Sequence, residues 1–376
     1  MTGRERLIKT LKGEKVDRAP IWLGDTFCQD ENLNPFIDEW MGKDSRLKAF
    51  KEFYYANCEI AKKIWAPGSN RNLSTPAANI HKIDERIFGD SKEIRYLINT
   101  PKGDLTFTDK IDRNVSTVWR VEYPVKAPED IEKLLSIDYK IGPLDYSAFH
   151  KMDQALGDSG IVIPMIDTPA ITICSLMPFE EYLLYTATDF SMIKELTEIA
   201  YGRVMLILES AIAAGMGPII RIMGSEQATP PMNRPEVYDE LIVRYETPLI
   251  QRIHEAGKFA GVHCHGKIKT VLPKMLKMGV DLLDPVEGPP SGNIEFLEAK
   301  RVVDGKMTLA GNIQLDDLER KDAANIAQQV RGLFADGRRD HVYVSTAAFP
   351  LSYMSENLYR NVMTLIEEAM RCGRMD

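Results

Sequence analysis

The 376-residue sequence predicts an α/β protein: one (β/α)8 TIM barrel over residues 1–376, with an N-terminal helical extension and an inserted antiparallel β hairpin or meander at about 93–126. Three observations predict this fold. Apolar, strand-like runs alternate with helical segments through the second half of the chain. Short β-patterned runs occur before this alternation begins, and small polar clusters follow nearly every apolar run.

The first ninety-two residues contain both helical and strand patterns. Apolar side chains at helical spacing predict a helix over residues 3–12, and residues 19–25 are predicted to form the first strand. Residues 44–65 are predicted to be helical. An eighth barrel strand is expected in the weakly patterned region 60–90.

The predicted insertion contains three short runs rich in β-branched and aromatic residues, at 94–98, 104–110 and 117–123. The first two runs are joined by residues 99–103, which supply the Pro and Gly of a tight turn. This pattern predicts antiparallel pairing inside or beside the main fold.

The barrel itself is predicted from six strand candidates that are apolar along their whole length, as parallel strands covered on both faces are. Together with residues 21–23 and the eighth strand, they fit a closed barrel better than an open doubly wound sheet. No G-x-G-x-x-G dinucleotide fingerprint follows the first strand. The strand candidates are 161–166, 218–223, 259–263, 282–284, 307–310 and 341–345, and the helices between them are predicted at 179–186, 192–213, 234–255, 268–277, 294–302 and 323–334.

Composition excludes several classes of function. The chain has 47 Lys and Arg against 55 Asp and Glu, a net charge of −8, which argues against nucleic-acid binding through phosphate contacts. No apolar run approaches the roughly 18 residues of a membrane span. The five cysteines are scattered and no signal-peptide pattern is present, so reduced thiols and a cytoplasmic location are expected.

His263-Cys264-His265 is the strongest local signal for chemistry, because it directly follows a predicted barrel strand. Active sites of such barrels lie at the carboxyl ends of the strands. In extended backbone, residues two apart share a side, so both imidazoles can face one zinc ion, while Cys264 is expected to pack on the other side. A hydrogen-bonded pair that binds substrate or bridges loops is the alternative.

Glu226 follows the preceding strand and is the predicted third zinc ligand. Two imidazoles and one carboxylate leave an open coordination position, which is typical of catalytic zinc. A general base or a salt-bridged rim residue are the alternatives for Glu226. Four other carboxylates, Glu240, Glu246, Asp284 and Glu287, could add a ligand, but the helical pattern around Glu240 and Glu246 favours a solvated helix face for these two.

Other residues at predicted strand ends are candidates for substrate binding or proton delivery. Asp25 is placed with Glu226 and His263 among the catalytic candidates, and aromatic side chains near the strand ends are expected to wall an apolar pocket. Helix capping is the alternative for the Asp residues. The substrate-binding candidates are Trp22, Asp25, Asp167, Asn312, Phe349 and Tyr353.

Several segments, taken in chain order, resemble the uroporphyrinogen decarboxylase superfamily: residues 4–7 with 13–21, residues 261–266, residues 271–284 and residues 309–313. The resemblance implies a (β/α)8 barrel with its active site at the carboxyl face. The decarboxylases carry an Arg-rich segment after the first strand that grips substrate carboxylates. This chain has Asp25 in the corresponding stretch, so it looks like the corrinoid-dependent methyltransferase branch instead.

Within that branch, the thiol methyltransferases hold zinc with a His-x-Cys pair and a later Cys. This chain has His265 at the second position of the pair and no cysteine in residues 345–350. Residues 224–232 with 263–266 resemble the first methyltransferases of bacterial O-demethylases, a subgroup that holds zinc with Glu, Glu and His. Ligation by Glu and His makes zinc a better Lewis acid for an oxygen ligand.

The function implied by this resemblance is methyl transfer from a methoxylated aromatic compound to cob(I)alamin, with Zn²⁺ on Glu226, His263 and His265. A separate, transiently bound corrinoid protein would carry the cobalamin, since the Asp-x-His-x-x-Gly signature is missing here. A homodimer is left open. The alternatives are a methylamine or thiol methyltransferase, a decarboxylase of the same superfamily, and a non-catalytic barrel that binds a ligand.

Overall fold

The structure is a computed structural model that describes residues 1–23, 45–112, 117–347 and 354–374. Seven parallel strands form one curled sheet, in which they pair in the order of their occurrence in the chain. Their bounds are β1 (Ile60–Trp65), β6 (Gly160–Asp167), β7 (Ile219–Met223), β8 (Phe259–His263), β9 (Leu282–Val286), β10 (Thr308–Ile313) and β11 (Val342–Thr346).

Residues 20–22 lie between the two outer strands and take the place of the eighth strand. Trp22 N–H donates to the Val344 carbonyl at 2.9 Å on the β11 side, and Glu59 N–H donates to the Ile21 carbonyl at 3.2 Å beside β1. The segment forms a bridge rather than a regular strand. The predicted (β/α)8 class is confirmed. The additional strand expected between residues 60 and 90 is β1, and residues 20–22 fill the remaining position in the barrel wall, between β11 and β1.

The buried carboxylate of Glu59 stabilises the segment that closes the barrel. Glu59 is 1% exposed; its Oε2 accepts from Ile21 N–H at 2.6 Å, and its Oε1 accepts from Arg18 Nη2 at 2.8 Å. Arg6 bonds both Glu59 and Asp17. Residues 6, 17 and 18 belong to the N-terminal segments that carry the family resemblance, and their contacts here are with the barrel closure.

Helices cover the outside of the strands, and no helix within the described ranges is long and apolar enough to span a membrane. Residues 44–65 were predicted as one helix, which is wrong: a helix ends at Asn57 and β1 follows. Helices lie at Gly3–Leu11, Ser45–Asn57, Pro128–Leu135, Ser147–Leu156, Pro169–Cys174, Phe179–Thr188, Phe190–Ala213, Pro235–Tyr238, Arg244–Glu255, Leu272–Met278, Phe296–Val303, Leu315–Arg320, Ala323–Gly332 and Glu356–Cys372, with a π-helical turn at Asp239–Val243.

Two apolar cores result from this layering. The larger lies between the strands and the outer helices, and the smaller fills the barrel interior. Leu7 and Leu11 of the first helix belong to the interior core, and the Tyr343 hydroxyl donates to the Leu7 carbonyl at 2.7 Å. The first helix therefore closes the amino end of the barrel, which leaves the carboxyl end for a site.

A separate antiparallel sheet contains β2 (Ile80–Phe88), β3 (Ser91–Ile98), β4 (Leu105–Asp112) and β5 (Val118–Glu122), in that order. The insertion was predicted to begin near residue 93, but it begins at Ile80. Charged residues break the apolar pattern of β2, which is largely exposed. Arg120 of β5 ties the sheet to the barrel by donating to Asn72 Oδ1 at 2.6 Å and to the Ser175 carbonyl at 3.0 Å.

Candidate functional site

A cavity of about 710 Å³ lies between the carboxyl ends of β1, β6 and β7 and one side of the antiparallel sheet. The barrel and its loops contribute Lys63, Trp65, Asp167 and Met223, while the sheet contributes residues that the sequence did not mark as functional. Its remaining lining residues are Ser69, Asn70, Arg71, Asn72, Tyr96, Phe107, Asp109, Thr117, Val118, Trp119, Arg120, Tyr123, Met165, Ile171, Cys174, Ser175, Phe179 and Gln227.

Aromatic side chains form much of the cavity wall. Tyr96 and Phe107 stack with their ring centroids 4.8 Å apart, and the Arg120 guanidinium lies 4.3 Å from the Phe107 ring. Such a wall suits a flat, largely apolar ring. The aromatic lining residues are Trp65, Tyr96, Phe107, Trp119, Tyr123 and Phe179.

The aromatic residues predicted from the sequence are different ones. Trp22 is 1% exposed inside the barrel, packs edge-on against Tyr343 and is not among the residues that line this cavity. Asp25, Phe349 and Tyr353 lie outside the described residues.

Asp167, the last residue of β6, lies in the cavity wall as a buried carboxyl group. Ser69 Oγ donates to its Oδ2 at 3.2 Å, and Arg71 Nε lies 3.5 Å from its Oδ1. Burial raises the pKa of Asp167 to about 6, although Arg71 and Ser69 oppose the shift. Asp167 can therefore hold or release a proton close to neutral pH.

Glu226 and His265, two of the three residues predicted to share a zinc ion, lie close to each other, although neither of them lines the cavity. Gly224, at φ +104°, begins the turn that carries Glu226, and a Cβ at Gly224 would lie 2.6 Å from Ile171. Glu226 Oε1 lies 3.9 Å from His265 Nε2. Glu226 Oε2 is buried and has no hydrogen-bond partner within the described ranges.

His263, the last residue of β8, is held by an ion network inside the barrel. Arg221 Nη2 lies 2.6 Å from His263 Nδ1, and Arg221 Nε donates to Asp284 Oδ1 at 2.8 Å. A guanidinium can only donate, so Nδ1 accepts and the neutral ring carries its proton on Nε2. Burial and the Arg221 charge lower the pKa of His263, which favours this neutral ring.

The arrangement of these residues fits a zinc ion only in part. Zinc bonds of about 2.0–2.2 Å place two ligand atoms roughly 3.4 Å apart, so Glu226 and His265 need little movement to share an ion. The unpartnered Glu226 Oε2 also fits a cation. However, His263 is held by Arg221, and no three His, Cys, Asp or Glu side chains among the described residues are grouped to hold a metal.

Arg221 and Lys63 were missed by sequence reasoning. Arg221 is fully buried on β7, and Lys63 is 5% exposed on β1 with its Nζ 5.0 Å from the Trp22 ring centroid. Burial lowers the pKa of Lys63 well below its usual range. A basic residue in the middle of an otherwise apolar strand was the available signal for Arg221, whereas Lys63 stands beside a second lysine, Lys62, in a segment that was assigned to a helix.

Glu246 corrects another expectation, since it is fully buried rather than on a solvated helix face. Ser225 Oγ donates to its Oε1 at 2.7 Å, and burial raises its pKa to about 7. The helix packs this carboxylate against the Glu226 turn, a contact that helical spacing alone does not reveal. The Glu240 side chain is 43% exposed, as a solvated helix face requires, and its Oε2 lies 3.7 Å from Arg244 Nη1.

The other predicted positions are accounted for as follows. Cys264 is buried in the main core, as expected from its packing interpretation. Asn312 is partly buried in β10 and does not line the cavity.

Comparison with known proteins gives one family match and several structural matches. The family model for uroporphyrinogen decarboxylase (URO-D) matches residues 112–367. A methyltransferase from Methanosarcina mazei is 14% identical, with 99% of each chain covered and a TM-score of 0.64, which shows a shared fold. A B12-independent methionine synthase from Shewanella sp. W3-18-1 is 14% identical, with 78% of this chain and 75% of that chain covered and a TM-score of 0.41. A search of the curated proteins finds no match.

Proposed function

Because the chain belongs to the uroporphyrinogen decarboxylase family, we propose a reaction that fits the site of this barrel: methyl transfer from an aryl methyl ether to cob(I)alamin on a separate corrinoid protein. The observation that carries the proposal is the cavity at the ends of the barrel strands. Its wall contains several aromatic side chains and the buried carboxyl group of Asp167, which can hold a proton. The fold shared with a methyltransferase is consistent with this reaction.

The aromatic walls bind and orient the ring of the substrate. Trp65 and Phe179 lie on the barrel side of the cavity, and the stacked Tyr96 and Phe107 lie on the sheet side. Burying a ring between these walls excludes water from the ether oxygen and limits the ring to a few orientations.

Glu226 and His265 are the residues we propose as zinc ligands, on the strength of their 3.9 Å approach and the unpartnered Oε2. Zinc bound there supplies Lewis acidity towards an oxygen atom. His263 is held at the neighbouring strand end by Arg221, with its ring centroid 5.7 Å from that of His265.

The reaction breaks the methyl carbon–oxygen bond and forms a cobalt–carbon bond. Cob(I)alamin, a co-substrate carried by its own protein, supplies the electron pair and is oxidised to cobalt(III). The bond electrons stay on the aryl oxygen. Asp167 in its protonated form donates the proton that converts this phenolate to a phenol, so the leaving group departs neutral.

A spectroscopic assay tests the reaction. The protein is mixed with a reduced corrinoid protein and a panel of methoxyarenes, methylamines, thioethers and aromatic carboxylic acids. We expect the cobalt(I) absorption to be replaced by that of methylcobalt(III) with methoxyarenes only.

Other outcomes would overturn the proposal in favour of a named alternative. Conversion with methylamines or thioethers alone would indicate a different methyl donor. Release of carbon dioxide without a change in cobalt would indicate a decarboxylase. Ligand binding without turnover of any kind would indicate a binding protein.

A further inference from the structure

Three basic side chains of the described part of the chain line the cavity, and two of them are committed to other groups. Lys63 is buried beside the Trp22 ring. Arg120 donates to Asp109 Oδ1 at 3.1 Å through Nε, and through Nη1 it donates to Asn72 and Ser175. These contacts hold the antiparallel sheet against the barrel.

Arg71 is different because its side chain is 45% exposed and lies in the cavity wall. Its Nε is 3.5 Å from Asp167 Oδ1, a long ion pair, and its guanidinium carbon is 6.0 Å from the Trp65 ring centroid. In the described part of the chain it makes no other ion pair or hydrogen bond. Most of its donors are therefore available to a ligand in the cavity.

Resting on the proposed function, we propose that Arg71 determines specificity by binding a carboxylate carried on the aromatic ring of the substrate. A guanidinium presents paired N–H donors that match the two oxygens of a carboxylate. The aromatic wall beside it, Trp65, accommodates the ring to which that carboxylate is attached. Among the residues that the structure describes, the cavity thus combines aromatic walls with one cation, Arg71, that is largely free to bind a ligand.

This arrangement also affects Asp167. A substrate carboxylate on Arg71 would offset the positive charge that lowers the pKa of Asp167 and would add a negative charge nearby. Both effects favour the protonated form of Asp167, which is the form that donates a proton in the proposed reaction. An anionic ring substituent would then contribute to the chemistry as well as to binding.

Calorimetric binding to the full chain, without corrinoid, tests the role of Arg71. The ligands are para-methoxybenzoate and its neutral analogue para-methoxytoluene near neutral pH. Because Arg71 and the carboxylate would form a charge-assisted pair, we expect the native protein to bind the benzoate about tenfold to a hundredfold more tightly than the methoxytoluene. Arg71→Leu should bring the two affinities within about threefold of each other by weakening only the benzoate, and Arg71→Lys should keep part of the preference.

Arg86→Leu is the matched control, because Arg86 is exposed on the antiparallel sheet and pairs with Asp84 outside the cavity. It should leave the preference unchanged. Equal affinities in the native protein, or an undiminished preference in Arg71→Leu, would overturn the proposal. If Arg71→Leu loses its folded circular-dichroism spectrum, the native ratio and the Arg71→Lys ratio decide instead.

The failure of this inference can be told apart from the failure of the proposed function. Methyl transfer from neutral methoxyarenes, with no preference for the carboxylate, would overturn the role of Arg71 and leave the reaction in place. Carboxylate binding that depends on Arg71, without methyl transfer from any ether, would overturn the reaction and leave the binding role in place.

Discussion

At the scale of single residues, the proton on Asp167 determines how the rate should depend on pH. Its pKa of about 6 means that the donor form predominates below that value and falls tenfold per pH unit above it. We therefore expect single-turnover methyl transfer to be flat below about pH 6 and to decline above it.

Substitution of Asp167 gives the corresponding prediction for the rate. Asp167→Asn should lower methyl transfer roughly 10²- to 10⁴-fold and remove the decline above pH 6, because the general acid is gone. Ser69→Ala removes a donor that stabilises the ionised carboxylate, so it should move the decline to higher pH. An unchanged profile in Asp167→Asn, measured by stopped-flow absorption of the corrinoid, would assign the titration to another group.

Glu246 gives a prediction about stability. Its pKa is raised from 4.5 to about 7, so the native state loses stability as the pH rises from about 4.5 through 7. Glu246→Gln should remove this loss and make the protein about 2–3 kcal/mol more stable near pH 8, with little difference near pH 4.5. Urea unfolding at the two pH values measures it. A variant that is less stable at both pH values would show that the carboxylate is needed in ionised form.

Zinc content tests the proposed ligand pair. After purification without chelators, we expect close to one zinc per native chain, and less than about 0.2 per chain in Glu226→Ala and His265→Ala. Glu240→Ala is the control, because Glu240 is exposed and pairs with Arg244. Full zinc content in either ligand variant, measured by atomic emission, would remove that residue from the site.

At the scale of elements, the closure of the barrel depends on Glu59. Glu59→Gln leaves Arg6 and Arg18 without their shared buried carboxylate, and it weakens the bond to the Ile21 amide. We expect a loss of about 3–5 kcal/mol in the free energy of unfolding, as for other broken buried ion pairs. Glu14→Gln, which removes an exposed carboxylate 3.8 Å from Lys12 Nζ, should cost less than about 1 kcal/mol. If urea unfolding gave the two variants the same loss in free energy of unfolding, Glu59 would contribute no more to stability than an exposed carboxylate.

The elements also show what local sequence patterns can reveal. Strands β6 to β11 were predicted within one to three residues because each is apolar and bounded by turn residues. Residues 60–65 were assigned to the preceding helix because no strong break in the apolar pattern separates the end of that helix, at Asn57, from β1. Strand β2 was missed because its exposed face carries charges in place of alternating apolar residues.

The candidate site could be predicted in part, for reasons that depend on distance along the chain. Glu226, His265 and Asp167 follow strands of one parallel sheet, so topology alone places them at the same end of the barrel. The cavity wall could not be predicted, because it brings Phe107 and Trp119 of the antiparallel sheet together with barrel loops that are far away in the chain. The contact of Arg221 with His263 is equally long-range.

At the scale of the whole molecule, the barrel and the antiparallel sheet contribute different groups of residues to the candidate site. The barrel supplies Asp167 to the cavity wall, and it also carries Glu226 and His265, the proposed zinc ligands, which do not line the cavity; the sheet supplies much of the aromatic wall. The URO-D match begins at residue 112, so β2 and β3 lie outside it and β4 reaches it only at its last residue. We therefore expect the sheet to determine which substrate the family barrel accepts.

Single turnover with a methoxyarene whose methyl group is isotope-labelled tests the proposed reaction most directly. The full chain is mixed with a stoichiometric amount of reduced corrinoid protein, and both products are quantified. We predict equal amounts of labelled methylcobalamin and of the phenol formed from the ether, with both products formed more slowly, by the same factor, in Asp167→Asn. Phenol without labelled methylcobalamin, or neither product from any methoxyarene, would contradict methyl transfer to cobalt as the function of this protein.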